Sequence, residues 1–416
     1  MPPTPLDMPE LDALITPADY TARSIGCGWE PEGIGDSLVL RGKTILVEDD
    51  SRSWAADERG TQGAWRNVDE CRAGLLRNLA IAASRGHIPY WMNVGKGYFD
   101  DPDVLKVVAE QVPVRRTLLT RPLVHTEHAI AMIIDDASPL DEDFTSGFQN
   151  LAVLRQRNDH LCNTGLPWRI YLLSGLERDD FPVFRAYLLP NCFRLTPRKL
   201  ELIRQKLMSN GSVVIFGPGT GISDGEKLSA RPATGLLGFP LELTEKEFAR
   251  RVLVYGGSHP ALADVRAPVV YGDSYVYGPT LEPAAELAAS DAVELGKASI
   301  GWYCNRAGLV LKEFGSGAAR NRAPAASRPI AAPAIAPSCS PLLCPCPPSF
   351  SAPWRSTAAA IPGRISATLS PQTATWSPFT AFGPAVERST CRAVRGRSTP
   401  SPAKPLAGRP RASGAK

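Results

Sequence analysis

The chain lacks any uninterrupted run of about 18 apolar residues, the length a helix needs to cross a bilayer, so no membrane-spanning helix is expected. No secretory leader is expected either. The opening MPPTPLDMPELDALITPADY is acidic and proline-rich, without the basic start and apolar stretch of a signal peptide. Histidine is scarce, five in 416 residues, and the nine cysteines form no CxxC pair and no zinc-ligand spacing. Cys27, Cys71, Cys162, Cys192 and Cys304 are scattered singly, which suits reduced thiols. A cytoplasmic protein with no metal and no cofactor is therefore expected. Cys344 and Cys346 sit among prolines and read as no metal site.

Nucleotide and nucleophile motifs are also missing. Gly217-Pro218-Gly219-Thr220-Gly221 is neither GxGxxG nor a Walker loop, because no Gly-Lys-Ser/Thr follows, and it reads as a tight turn. No Ser/His/Asp arrangement stands out. His125 and His128 lie near a domain boundary, and His259 before Pro260 reads as a surface residue. An amidotransferase-like nucleophile elbow would need Cys or Ser in a tight turn. The PNC around Cys192 has no Gly partners, so Cys192 reads as a buried structural thiol.

The formal net charge of +4 hides an uneven distribution. From Arg320 to Lys416 there are 13 basic residues and one acid, Glu387; the first 319 residues hold 33 basic and 41 acidic ones. An acidic body argues against nucleic acid as a partner.

Residues 1–40 read as irregular, with turn signals at Gly26, Gly28, Gly33 and Gly35. Lys43–Val47 is a short apolar strand that runs into Glu48, Asp49 and Asp50. Asn67–Ser84 places Cys71, Leu75, Leu76, Leu79 and Ala83 at helical spacing. Ile88–Val94 is a second strand, and Asp101–Gln111 a helix with an Asp cap and Pro in its first turn. Strand alternating with helix is the pattern of a parallel α/β sheet or barrel.

A second alternation starts near His128. Strands are predicted at Ala129–Ile134, Arg169–Ser174, Ala186–Pro190 and Ser212–Phe216, with helices at Phe148–Thr164 and Thr196–Ser209. This is a doubly wound, flavodoxin- or amidotransferase-like unit. Short strands between 250 and 315 close it. After Gly317, Pro, Ala, Ser and Arg dominate, and 17 of the 39 prolines fall in the last 97 residues. Such a segment buries too little apolar surface to offset its ordering entropy, so a disordered tail is expected.

In parallel α/β barrels the reactive groups project from the C-terminal ends of strands. Glu48 stands at such an end, and the plain alternative is an acidic loop paired with Arg52. A retaining glycosidase needs one carboxylate as nucleophile and a second as acid/base, about 5–5.5 Å apart. Aromatic rings that stack on sugars are a second cue. Trp29, Trp54, Trp65 and Trp91, four of the eight tryptophans, fall in the first 91 residues, with Tyr90, Tyr98 and Phe99 nearby. Core packing is the alternative for Trp91 and its neighbours.

The stretch GKTILVEDDSRSW resembles the seventh barrel strand of the β-galactosidases of glycoside hydrolase family 42. ECRAGLLRNLAIAASRGHIPYWMNVGKGYFDDPDV resembles their last barrel helix and eighth strand, and YTARSIGCGWEPEGIGDSLVLRGK their sixth-strand region. Residues 128–255, especially FPVFRAYLLPNCFRLTPRKLELIRQKLMSNGSVVIFGPGTG, resemble their trimerisation domain, which has an amidotransferase-like fold. The resemblance implies the C-terminal half of a TIM (β/α)8 barrel over 1–124, a trimerisation-like α/β domain over 125–318, and a tail over 319–416. It implies a carbohydrate substrate, a homotrimer in intact relatives, and Glu48 as nucleophile, with Asp49 the alternative in the EDD run. Trp91 is the matching candidate for the sugar-facing aromatic, with Trp54 and Arg52 as further substrate contacts. A barrel takes about 250 residues, and about 120 precede the second unit, so the family's acid/base Glu has no match here. The chain is then a fragment, inactive as it stands and poorly soluble, or else a non-catalytic assembly module.

The tail also yields a strand-like text when read one base out of register. IAPSCSPLLCPCPPSF permits DRAVVFSVAVPLPPEL, and the stretch after Trp376 permits a text resembling the family's closing strands. A frameshift near Gly317–Asn321 is the expectation that follows.

Overall fold

In the computed structural model, residues 5–20, 22–56, 64–93, 99–121, 129–143, 153, 160–246, 248–254, 259–266, 268–300, 303–315 and 328–331 are described. The expected helix Phe148–Thr164 lies mostly outside them, as do Tyr98, His125, His128, Cys344 and Cys346. So does the tail, apart from Arg328–Ala331.

Three parallel strands open the chain: β1 (Ala13–Pro17), β2 (Thr44–Asp49) and β3 (Ile88–Trp91), in the order β1-β2-β3. Strand β1 corrects the reading of residues 1–40 as irregular. Its five residues carry too weak a pattern to announce a strand alone, and pairing with β2 in register, Ala13 to Thr44 through Pro17 to Glu48, defines it. A short helix, α1 (Gly35–Val39), lies between β1 and β2.

Helix α2 (Val68–Arg85) joins β2 to β3. The Asn67 side chain caps it by accepting from the Glu70 N–H, and Gly86 ends it in the left-handed conformation that glycine adopts without strain. Helix α3 (Pro102–Thr120) starts at the Asp101 cap and continues past the expected end at Gln111, through Pro113. Among the described helices, α2 and α3 lie against each other and bury Trp65, Cys71, Leu75, Val104 and Val107 between them and the sheet.

The second unit is built on a nine-stranded sheet. Its parallel part holds β4 (Ile130–Ile134), β5 (Trp168–Leu172), β6 (Ala186–Leu189) and β7 (Val213–Phe216), in the order β7-β6-β4-β5. That order reverses between β4 and β6, the signature of a doubly wound sheet. Helix α4 (Pro197–Leu202), capped by Thr196, follows β6 and runs into a π-turn at Ile203–Leu207. Beyond β7 come α5 (Arg231–Leu237), the pair formed by β8 (Leu241–Thr244) and β11 (Thr280–Pro283), and an antiparallel flank. The flank comprises β9 (Phe248–Val254), β10 (Val269–Tyr277), β12 (Val293–Ile300) and β13 (Tyr303–Leu311). From the tail, β14 (Arg328–Ala331) lies between β13 and β7.

One apolar core crosses from the first sheet to the second. Trp29, Leu38, Ile45, Val47 and Ala82 pack with Met132, Ile134, Ile170 and Leu188. Edge strand β5 is covered by α1. The Asp36 carboxylate accepts the Ile170 N–H at 2.8 Å, and Ser37 Oγ accepts the Leu172 N–H at 2.7 Å. Arg85 anchors this seam, paired to Glu30 at 2.8 Å and Asp36 at 2.7 Å, with its guanidinium 4.2 Å from the Trp168 ring centre. Burial opposes the charge on Arg85, but the two carboxylates outweigh it and hold its pKa above the ordinary value.

Candidate functional site

Strand β2 alternates. Ile45, Val47 and Asp49 are buried, while Thr44, Leu46 and Glu48 are half-buried. Pleating sends successive side chains to opposite faces, so Glu48 and Asp49 point apart. Asp49 faces α2. It accepts from Ser51 Oγ at 2.6 Å and from Asn78 Nδ2 at 3.0 Å. Burial pushes the Asp49 carboxyl pKa up, and the bonds from Ser51 and Asn78 offset only part of the rise.

Glu48 lies on the other face, in one cross-strand row with Pro17 and Tyr90. The Tyr90 hydroxyl donates to Glu48 Oε1 at 2.8 Å. Desolvation, then the bond to Glu48 and its charge, push the Tyr90 phenol up to about 12, so it remains a donor at neutral pH. Asp50 forms a buried ion pair with Arg23 at 2.5 Å. Arg23 also donates to the Ala18 and Asp19 carbonyls and lies 4.0 Å over the Tyr20 ring. It thereby ties the segment after β1 to the end of β2.

Trp91 falls in the row of Asp49, on the face opposite Glu48. It packs with Trp65, Leu75, Val107, Trp54 and Phe99 between the sheet and the helices. Trp54 donates from Nε1 to Asp101 at 3.0 Å. Arg52 is buried, and its carbonyl accepts the Trp65 N–H at 2.9 Å. Trp29 and Trp65 are core residues. The structure thus joins Glu48 with Tyr90, and it gathers Trp91 and Trp54 in a separate cluster. Arg23 and Asn78 escaped sequence reasoning; an Arg and an Asn inside otherwise ordinary stretches give no periodic signal.

The second place where α/β sheets bind ligands is the switch point at the strand ends. Here it is filled by protein. Asp135, after β4, is fully buried and receives Lys199 Nζ on both oxygens, at 2.8 and 2.7 Å, and Ser138 Oγ at 2.8 Å. Asn191 bridges β6 to β4 by bonding the Asp135 N–H and carbonyl. Burial, then the Asp135 charge, push the Cys192 thiol far above its ordinary value. That is the reverse of an activated nucleophile. In the glycine loop, the Thr220, Gly221 and Ile222 amides all bond to protein carbonyls, as a tight turn requires and an anion cradle does not. Gly217 has no room for a side chain, because a Cβ there would lie 2.4 Å from the Pro190 carbonyl oxygen.

No group of three or more metal-ligating side chains exists among the described residues, and no helix among them is long and apolar enough to cross a membrane.

No family model matches the chain, and no curated protein matches it. Among solved structures it is similar to a catalytic mutant of a GH42 beta-galactosidase from G. stearothermophilus, with 12% identity and a TM-score of 0.44 over 69% of this chain and 40% of that one. It is similar to the same degree to the beta-galactosidase from Rahnella sp. R3, with 12% identity and a TM-score of 0.44 over 69% of this chain and 41% of that one. A putative ThuA-like protein from Bacteroides uniformis matches 46% of this chain over 80% of its own length, with 12% identity and a TM-score of 0.29. The chain spans about two-fifths of the two beta-galactosidases it matches.

Proposed function

We propose that the chain carries the nucleophile-bearing part of a retaining glycoside hydrolase of the β-galactosidase type, with Glu48 as the nucleophile. The observation that carries this is the Glu48 carboxylate at the C-terminal end of a parallel strand. It lies on the face away from the helices, with Tyr90 donating to one of its oxygens. A carboxylate held this way attacks an anomeric carbon with its second oxygen and forms a glycosyl ester, while the sugar's former substituent leaves.

Protonation of that leaving oxygen needs a second carboxylate. Asp49 turns toward α2 and Asp50 is bound by Arg23, so neither fits the acid/base role. The chain is therefore inactive on ordinary glycosides by itself. On this reading Tyr90, paired with Glu48 across the strands, stands beside the nucleophile, and the doubly wound unit acts as an assembly domain that makes a trimer.

A 2-deoxy-2-fluoro-β-galactosyl donor with a dinitrophenolate leaving group tests the reading, because such a group departs without a proton. The expected result is a stable sugar adduct on the peptide containing Glu48, absent in Glu48→Gln. No adduct on folded protein, together with a defined oligomer in sedimentation, would overturn the catalytic reading and leave the chain a non-catalytic assembly module.

A further inference from the structure

The seam between α1 and β5 contains a group that neither the fold nor the proposed chemistry explains. His87 follows the cap of α2 and is 2% exposed. Neither ring nitrogen has a hydrogen-bond partner among the described residues. The ring edge occupies the space left by a missing side chain: a Cβ on Gly35 would lie 2.3 Å from His87 Nε2. Gly35 begins α1, whose next two residues, Asp36 and Ser37, hold the Ile170 and Leu172 amides of β5.

Charged groups reach this ring from three elements: Asp36 of α1, Arg85 of α2 and Arg169 of β5. Glu30 joins them through Arg85, and Asp36 lies 3.7 Å from Arg169. Two arginines thus face two carboxylates, and the buried seam is balanced only while His87 is neutral. An extra buried charge without a partner is costly.

We propose that the His87–Gly35 contact is an acid-sensitive latch: protonated His87 unbalances the seam, draws Asp36 from its partners and releases α1 from the edge of β5. The uncovered edge then presents the Ile170 and Leu172 amides to solvent or to another strand. Burial, first, and the two arginines lower the imidazole pKa to about 4 from 6.5, with Asp36 opposing. A released ring returns to its ordinary value, so acid favours the open form.

The test uses the intact chain. Hydrogen–deuterium exchange at the histidine C2 position should place His87 titration near pH 4 rather than 6.5. Amide exchange, corrected for its intrinsic pH dependence, should show Ile170 and Leu172 losing protection on the order of 100-fold between pH 7.5 and 4. The Val214 amide, inside the sheet, should keep its protection. His87→Leu should flatten the response at Ile170 and Leu172. Should that variant fail to fold, the wild-type protein decides alone. An imidazole titrating near 6.5, or unchanged protection at both amides, overturns the latch. Neither readout involves Glu48, so a failed glycosidase reading leaves this result standing.

Discussion

Lys199→Met removes the cation from a carboxylate with no access to water. Asp135 is 0% exposed, and Lys199 Nζ bonds both its oxygens at 2.8 and 2.7 Å. Methionine keeps most of the lysine volume and leaves Ser138 Oγ, the Ala137 N–H and the Cys192 thiol on the charge. Breaking a buried pair from one side costs about 3–5 kcal/mol, because the remaining charge is stranded. For a unit of this size the thermal midpoint should fall by roughly 6–20 °C. Urea unfolding followed by far-ultraviolet dichroism measures the loss directly. Adding Asp135→Asn removes the stranded charge, so the double variant should be more stable than Lys199→Met alone, the coupling expected of direct partners. A loss below about 1 kcal/mol for Lys199→Met, or a double variant less stable than the single one, would refute the claim that this pair locks the switch point.

The linkage at His87 predicts a pH-dependent stability. Its folded pKa is about 4 against 6.5, so its contribution is complete above pH 6.5 and is lost as pH falls toward 4. By pH 4 that amounts to about 3 kcal/mol. The urea midpoint of the wild type should therefore fall more steeply on acidification than that of His87→Leu, and parallel slopes would contradict the assignment. Gly74→Ala places a Cβ 2.3 Å from Trp65 Cζ2 in a filled cluster, so it should cost about 1–3 kcal/mol in the same assay despite the better helix propensity of alanine. Thiol alkylation at pH 8 should modify half-buried Cys27 ahead of Cys71 and Cys192. Burial lifts the Cys71 thiol to about 12 and Cys192 higher still, and only thiolate reacts; equal rates on native protein would show that these thiols are not sealed.

Much of the fold was legible because it is local. Asp101 announces a helix and accepts the expected backbone N–H, and Asn67 and Thr196 cap theirs in the same way. The apolar runs at Ile45–Val47, Ile130–Ile134 and Val213–Phe216 are strands. What the sequence hides is parity and partnership. Parallel strands are apolar on both faces, so nothing in EDD or in PYW says which residue meets the helices. The register does: Glu48 pairs with Tyr90 and Asp49 with Trp91. The seam was illegible for a related reason. Asp36, the Arg85–His87 turn and Ile170 are far apart in sequence, and Gly35 reads as a turn until the imidazole occupying its missing side chain is seen.

The same parity constrains any route to catalysis. The helix-facing side of the first sheet is committed, since Ile45 and Val47 share a core with Met132 and Ile134 of the second sheet. The opposite side is not closed to the same extent, for Ile15, in one cross-strand row with Leu46 and Ile88, is 60% exposed. Glu48 stands one row further along that side. Parallel sheets are found covered on both faces, so a polypeptide that covers this face packs over the Ile15 row and therefore beside Glu48. On the proposed reading of Glu48 as a nucleophile, an acid/base partner on its face would have to come from that cover. Shielding the apolar row and completing the carboxylate pair are then one event, and a partner that restores turnover without protecting Ile15 would break the link.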